Sequence, residues 1–354
     1  MIFMNKRPIL RIITCTALVC ALMSCQEIYA QDGTKDPIAE NMLTYQRSYG
    51  GWPKAIGKDK VDYNKPISDE QRSEIRKTSD DEDATIDNKA TSREIIYLVK
   101  AYGQTKNPRY LEAAKDGIDY LLKAQYENGG WPQYYPNKKI YRAQITYNDD
   151  AMINVLNILL DVSRKSGDYA VFDDAYAVKA RMAVEKGIAC ILKTQVAIDG
   201  KLTAWGAQYD EKTLVPAKAR AFELPSLASS ESVNIIRFLM RIESPSPAVR
   251  TAISSAIDWF DKVKITGYRA DHIEAPSEES GKDLVLVADA SSTIWARFYD
   301  LKSMQPMFVG RDGIPKTKLA EIDNERRSGY AWYGVWGAKL PKEYAKWKKA
   351  NGVE

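Results

Sequence analysis

A polar connection at residues 202–232 contains the first residues that could do chemistry. Its sequence, LTAWGAQYDEKTLVPAKARAFELPSLASSES, holds Arg220 among lysines and carboxylates. Gly206, Pro216 and Pro225 interrupt any regular period, so we predict a long loop between two helices. A loop of this length inside a compact chain is usually functional. We therefore predict that Arg220 takes part in chemistry and that the rest of the chain builds a groove and a cation site around it.

An internal repeat indicates which elements position this loop. Three passages end an apolar helical pattern in glutamine and then turn through glycine to tryptophan: NMLTYQRSYGGWPKAI from Asn41, DYLLKAQYENGGWPQYYP from Asp119 and CILKTQVAIDGKLTAWGAQYD from Cys190. A second kind of passage starts with a polar cap: TIDNKATSREIIYLVKAYG from Thr85, TYNDDAMINVLNILLDVSRKSG from Thr146 and LASSESVNIIRFLMRI from Leu227. Repeated helical hairpins of this kind predict an array or a closed ring.

The predicted fold is therefore mainly α-helical, with hairpins arranged in a partial toroid. Strand signals are scarce, and DLVLVAD from Asp283 is the best of them. In a ring of equivalent hairpins the polar caps of the helices meet at one end. This places the following residues near one face: Asp87, Asn88, Asn148, Asp149, Asp150 and Glu231.

The bulk composition narrows the class of function. The net charge is only +4, without a basic block, so nucleic acid is not a predicted partner. No protein partner is predicted either. The single histidine, His272, lies in a polar segment without a nearby Gly-x-Ser-x-Gly signature, which argues against a histidine-dependent triad. Cys190 is the only cysteine beyond the N-terminal segment, so we predict neither an intramolecular disulfide nor a zinc cluster.

The N-terminal segment has the pattern of a secretory signal. Basic residues precede an apolar run from Ile12 to Met23 that is too short to span a bilayer. Two processing sites remain open, a lipoprotein box that would leave a lipidated Cys25 and a signal-peptidase site after Ala30. We predict a signal peptide at residues 1–30 and one catalytic domain at 31–354. The protein is expected to be secreted or periplasmic, with lipid anchoring at the cell surface as the alternative.

Three motifs in order give the chain a family resemblance. At ENGGWPQYYP, ITYNDDAMINVL and AKARAFELPSLASSES it resembles the family 10 polysaccharide lyases, which are pectate lyases. The resemblance extends to RRSGYAWYGVW near the C-terminus. It implies an (α/α)3 toroid, calcium dependence, and β-elimination of polygalacturonate with an arginine as the catalytic base.

The resemblance also implies roles for individual residues. Asp149 in TYNDD and Asp87 in TIDNKAT correspond to calcium ligands, with Asn88 at the substrate, and Arg220 corresponds to the catalytic arginine. Calcium suits such a site because it accepts several hard oxygen ligands and can neutralise a carboxylate whose charge grows during the reaction. An arginine holds its proton firmly, so we expect a cation-rich site to favour its neutral form and an alkaline optimum.

Further residues are predicted to contact the substrate. The resemblance implies that Arg311 in VGRDG binds a substrate carboxylate, which a guanidinium can hold through two hydrogen bonds. We add Lys212, Trp131 and Trp205, because aromatic faces are useful for stacking on sugars. Both tryptophans could equally be core residues between hairpins.

Other interpretations of the same residues remain open. Asp149 could cap a helix, and Arg220 could pair with Glu223 or Glu231. The chain could be a glycoside hydrolase on the same helical scaffold, using Asp149 and Glu231 as paired carboxylates. It could also be a non-catalytic glycan-binding surface protein. Only elimination creates an unsaturated sugar that absorbs in the ultraviolet, so the products separate these functions.

Overall fold

Helices dominate the computed structural model, which describes Met1 and residues 34–353. The α-helices are α1 (Pro37–Tyr45), α2 (Asp69–Lys77), α3 (Ser92–Thr105), α4 (Pro108–Ala124), α5 (Ala151–Ser163), α6 (Asp174–Thr194), α7 (Ser229–Met240), α8 (Pro247–Val263), α9 (Asn324–Gly329) and α10 (Leu340–Asn351). The mainly helical prediction is thus confirmed. Within these ranges no helix is both long and apolar enough to cross a bilayer. The predicted signal segment and its two processing sites lie outside the described residues.

Most strands are only two residues long. They are β1 (Ala55–Ile56), β2 (Asp59–Lys60), β3 (Ile145–Thr146), β4 (Ala197–Ile198), β5 (Lys201–Leu202), β6 (Gln208–Tyr209), β7 (Leu227–Ala228), β8 (Ile265–Glu274), β9 (Lys282–Ala296), β10 (Phe298–Tyr299), β11 (Phe308–Val309), β12 (Pro315–Lys316) and β13 (Tyr333–Gly334). The pairs are β1–β2, β3–β6, β4–β5, β7–β10 and β11–β12, and β9 lies between β8 and β13. The strand predicted from Asp283 is confirmed as part of β9.

The tryptophan loops are held in the same way in each copy of the repeat. The indole Nε1 atoms of Trp52, Trp131, Trp205 and Trp295 donate to the main-chain oxygens of Met42, Leu121, Ile191 and Phe260, at 2.8, 2.8, 2.8 and 2.9 Å respectively. Each ring therefore packs back onto the helix that precedes its loop, and its one polar group is satisfied inside the core. Trp295 marks a fourth copy that the sequence comparison missed, because the β8–β9 hairpin separates it from α8.

A glutamine directly after α1, α4 and α6 joins one copy to the next. Each Nε2 atom of Gln46, Gln125 and Gln195 donates two hydrogen bonds. One goes to a main-chain oxygen of the following loop, in Gly50, Gly129 and Thr203 respectively. The other goes to a main-chain oxygen in the corresponding helix of the next copy, in Ala113, Ala183 and Ala252. These bonds place α1, α4, α6 and α8 side by side in chain order. The glutamine that recurs in the sequence thus has a structural role in aligning the copies.

The close approach between loop and helix predicts a strong effect of Gly129→Ala. Gly129 has φ +93°, and a Cβ there would lie 2.0 Å from the main-chain oxygen of Lys186. A left-handed alanine costs about 1–2 kcal/mol and overpacking about 1–3 kcal/mol more, so we expect a loss of about 2–5 kcal/mol in the free energy of unfolding. Urea unfolding measures this loss.

Gly167→Ala is the matched control for this substitution. Gly167 also has positive φ, +56°, but no atom lies within 4 Å of the added Cβ. Only the conformational cost of about 1–2 kcal/mol applies there. Equal destabilisation by the two variants would show that the contact with α6 contributes nothing.

Candidate active site

A small cavity of about 90 Å³ lies where the caps of α3 and α5 face the loop at residues 206–226. Its lining residues are Lys54, Asp87, Asn88, Gln133, Tyr141, Asn148, Asp149, Gln208, Arg220 and Glu223. The cavity brings together four residues to which the family resemblance gave roles, Asp87, Asn88, Asp149 and Arg220. The cavity is polar on all sides and carries charges of both signs.

The caps of α3 and α5 form equivalent turns. Thr85 and Thr146 each donate their main-chain N–H to the oxygen of a loop tryptophan, and a 3₁₀ turn follows in both copies. Asn88 and Asp149 have φ of 50° and 52°, a left-handed conformation that asparagine and aspartate tolerate better than most residues. The third copy lacks this turn, because α7 begins directly after β7 at Ser229. Only two copies therefore supply a carboxylate from a helix cap to the cavity.

The two cavity aspartates repel each other, and Asp87 is buried whereas Asp149 is exposed. One oxygen of Asp87 accepts hydrogen bonds from Lys54 and Asn88, while the other, Oδ1, is buried without a hydrogen-bond partner. Asp149 accepts a bond from the side-chain amide of Asn148 at 3.0 Å. Its pKa is raised, first by desolvation and then by the negative charge of Asp87. A cation bound between these carboxylates would relieve both costs.

The donor atoms of the cavity suit calcium. Carboxylate oxygens of Asp87 and Asp149 and amide oxygens of Asn88, Asn148 and Gln133 are the hard ligands that this ion prefers. No group of three or more His, Cys, Asp or Glu residues in the described ranges could hold a metal ion. Two carboxylates would therefore leave the remaining positions to amides, water and a substrate carboxylate. The buried, unpartnered oxygen of Asp87 is consistent with such an ion.

Arg220 is held by Glu223. Its Nε donates to Oε2 of Glu223 at 2.7 Å, and its Nη2 donates to Oε1. The pairing left open by the sequence is thus with Glu223. The pKa of Arg220 is raised, chiefly by this hydrogen-bonded carboxylate, whereas the sequence predicted that positive neighbours would lower it. The expectation omitted the nearest charge, which is negative and only three residues away.

Arg311 lies beside Arg220 but does not line the cavity. The guanidinium carbons of the two residues lie 4.8 and 5.4 Å from the ring centroid of Phe222. Arg311 also donates from Nε and Nη2 to Glu325 at 3.0 and 3.1 Å, and its side chain is 61% exposed. Both arginines thus contact one aromatic ring, which Arg326 also contacts at 4.7 Å, and the more exposed Arg311 can meet a ligand first.

The loops that carry these arginines are duplicates, which the sequence comparison missed. Residues 205–216, WGAQYDEKTLVP, match residues 295–306, WARFYDLKSMQP. In both, the aspartate after the tyrosine accepts a main-chain bond at 2.7 Å from the residue three positions later, Thr213 or Ser303. The pattern W-x-x-x-Y-D-x-K-[ST]-x-x-P was the available signal. Arg220 and Arg311 then follow at nearly the same place in the two copies.

Residues two positions after a loop tryptophan also surround the site. Lys54 and Gln133 line the cavity, and Arg297 occupies the corresponding position after Trp295. The main-chain oxygens of Gln133 and Arg297 accept hydrogen bonds from the main-chain N–H groups of Ile86 and Ser229, at 3.2 and 2.9 Å, which fixes both positions against the neighbouring copy. Arg297 counteracts the rise in the pKa of Asp149. The recurrence of tryptophan was the signal that could have identified these residues.

Three residues predicted to contact substrate lie elsewhere. Trp131 and Trp205 are 0% exposed, and their indoles pack between helices, so the core interpretation describes their positions and no face is free for a sugar. Lys212 is exposed in the turn after β6, outside the cavity lining. Glu231, the second carboxylate of the hydrolase hypothesis, is buried and paired with Arg297 at 2.5 Å. It is therefore not free to act on a sugar.

The chain is similar to one known protein family and to solved structures. A family model described as pectic acid lyase matches residues 46–341. A mutant family 10 polysaccharide lyase from Cellvibrio cellulosa in complex with trigalacturonic acid is 33% identical, with a TM-score of 0.78, covering 87% of this chain and 92% of that one. A family 10 polysaccharide lyase from the same organism is 32% identical, with a TM-score of 0.76 and coverages of 87% and 91%. No curated protein matched.

Proposed function

Because the chain belongs to the pectic acid lyase family and is a pectate lyase, we propose that it cleaves polygalacturonate by calcium-dependent β-elimination, with Arg220 as the base. The observation that carries this proposal is the cavity in which two aspartates, the buried Asp87 and the exposed Asp149, face an arginine. The similar structure that contains trigalacturonic acid supports the substrate class.

Each side chain has a defined task in this reaction. The C5 proton of a galacturonate unit is removed by Arg220, the electron pair forms the C4–C5 double bond, and the bond from C4 to its oxygen breaks. Asp87 and Asp149 would hold the calcium ion, which supplies Lewis-acid neutralisation of the substrate carboxylate. Arg311 orients a carboxylate by the same two-bond contact that it now makes with Glu325.

Arg220 must lose a proton before it can act. The carboxylate of Glu223 stabilises the charged guanidinium and raises its pKa, so the neutral form becomes more populated as the pH rises. We therefore propose an alkaline optimum. The rate should rise with pH because the base becomes available, the opposite of the dependence expected for a catalytic acid.

We also propose the toroidal arrangement and the extracellular location. The order of α1, α4, α6 and α8, joined by their glutamines, supports an (α/α)3 ring with the active site at its capped end. A signal segment at residues 1–30 would direct the protein to the periplasm or the medium, and lipidation at Cys25 would hold it at the cell surface. Proteomic identification of the mature N-terminus distinguishes the two routes.

The test of function follows the ultraviolet absorbance of polygalacturonate at alkaline pH. With purified protein and calcium, we expect absorbance to rise as unsaturated ends form, and an excess of chelator to stop the rise. New reducing ends without absorbance would indicate hydrolysis and contradict the proposal. Binding without either product would identify a glycan-binding protein instead.

A further inference from the structure

The carboxylate of Glu223 and the guanidinium of Arg220 form one rigid turn. Besides the two side-chain bonds, the main-chain N–H of Arg220 donates to Oε2 of Glu223 at 3.3 Å. The main chain closes the turn as well, because Glu223 N donates to Arg220 O at 3.0 Å and Ala219 N donates to Glu223 O at 3.1 Å. Carboxylate and guanidinium therefore cannot move independently without breaking several bonds.

The pair is anchored on its carboxylate side. The side chain of Glu223 is 8% exposed, whereas that of Arg220 is 47% exposed. The hydroxyl of Tyr330 donates to Oε1 of Glu223 at 3.3 Å, and the ring of Phe222 lies under the guanidinium. The buried carboxylate is thus fixed by the core, while the arginine it holds reaches towards solvent and the cavity.

One guanidinium nitrogen remains available. Nε and Nη2 of Arg220 are both engaged by Glu223, and within the described ranges Nη1 makes no hydrogen bond. Arg220 lines the same cavity as Asp87 and Asp149. Nη1 is therefore the nitrogen that can receive a proton from a substrate bound in this cavity.

We infer that Glu223 is the positioning residue of the base: it fixes Nε and Nη2 and presents Nη1 of Arg220 to the C5 proton. This inference rests on the proposed function of Arg220. The proton passes from C5 to Nη1 of the neutral guanidine, the C–H electron pair becomes the C4–C5 double bond, and water protonates the departing oxygen. The resulting guanidinium is then stabilised by Glu223.

The charge of Glu223 can be separated from its position. Within the described ranges, Arg220 also interacts electrostatically with four other titratable groups: Tyr141, Tyr330, Asp149 and Arg311. Glu223→Asp keeps the negative charge but withdraws the carboxylate by about one methylene. Glu223→Gln keeps the length, removes the charge, and turns an NH2 group towards one guanidinium N–H, so two-bond contact is lost.

The experiment compares pH–rate profiles of these variants on polygalacturonate with calcium. For Glu223→Asp we expect the maximal kcat to fall about 10- to 100-fold because Nη1 is misplaced. The ascending limb of the pH–rate profile, where the base loses its proton, should not move. For Glu223→Gln we expect a similar fall in kcat. The ascending limb should also shift to lower pH, because the pKa of the arginine falls when its negative neighbour is removed. KM and the binding of trigalacturonic acid should stay close to wild type in both.

Glu325→Gln is the matched control, because Glu325 holds Arg311 through the same two-bond contact. It should change KM while leaving the pH limb in place. A Glu223→Gln enzyme with wild-type kcat and pH limb would overturn the inference. A variant that loses trigalacturonic acid binding and thermal stability along with kcat would also overturn it, by showing a general structural role. A wild-type enzyme without unsaturated product would instead refute the proposed function.

Discussion

Arg220→Lys is expected to retain the fold and lose nearly all turnover, with kcat lower by roughly 1,000-fold or more. A general base contributes about 10²- to 10⁴-fold, and lysine fails here for a geometric reason. Its ammonium is a point charge that cannot reproduce the two parallel bonds to Glu223 or the planar contact with Phe222. Initial rates of ultraviolet absorbance with saturating polygalacturonate and calcium measure the loss.

Lys218→Ala provides the control for Arg220→Lys. Lys218 lies in the same loop, and the hydrogen bond described for it uses its main-chain oxygen, which accepts from Gln144 at 2.8 Å and survives the substitution. We expect near-normal turnover from this variant. Wild-type rates in Arg220→Lys, or a collapse of activity in Lys218→Ala, would move the base to Lys218 or to another group. Circular dichroism of both variants separates chemistry from unfolding.

The helical repeat was readable from the sequence because its key residues do the same physical work in every copy. A buried indole needs a hydrogen-bond partner, and the helix just completed offers free carbonyls, so Gly and Trp recur at fixed places. The same reasoning located Asp87 and Asp149, since polar caps of equivalent helices meet at one end. The cavity forms where the caps of neighbouring copies meet, so no long-range pattern in the sequence was needed to predict its position.

Other parts of the site depend on contacts that a sequence pattern does not show. Arg220 has carboxylates on both sides in the sequence, and only the turn that brings Glu223 under it decides the pair. That choice reversed the expected direction of the arginine pKa. Arg297 was not predicted because a long hairpin precedes Trp295. The exposure of a side chain also cannot be read from its residue type, as the buried Trp131 illustrates.

The positive and negative charges of the site divide between two tasks. Asp149 lies near the like charge of Asp87, while Arg311 and Arg220 each use a protein carboxylate as a partner in the free enzyme. A polygalacturonate chain brings a carboxylate on every sugar, so it can replace Glu325 at the exposed arginine without moving the buried Glu223. Binding and positioning thereby fall to different carboxylates, which is why the two substitutions are expected to affect KM and kcat separately.

Asp149→Ala is expected to lower turnover by roughly 100-fold or more at low calcium and to weaken calcium binding measured by calorimetry. The substitution removes one of two carboxylates, and ligand charge count sets the affinity of a calcium site over several orders of magnitude. It also removes a carboxylate whose pKa is raised first by desolvation and then by the charge of Asp87, so any gain in stability would accompany the loss of function. Asp149→Asn should be intermediate, because its amide still offers an oxygen.

Asp168→Ala, which replaces an exposed aspartate in a surface turn, serves as the control and should bind calcium normally. Wild-type turnover of Asp149→Ala in chelator would show that the cation is not held here, because the chemistry would then proceed without the ligand that the cavity was proposed to supply.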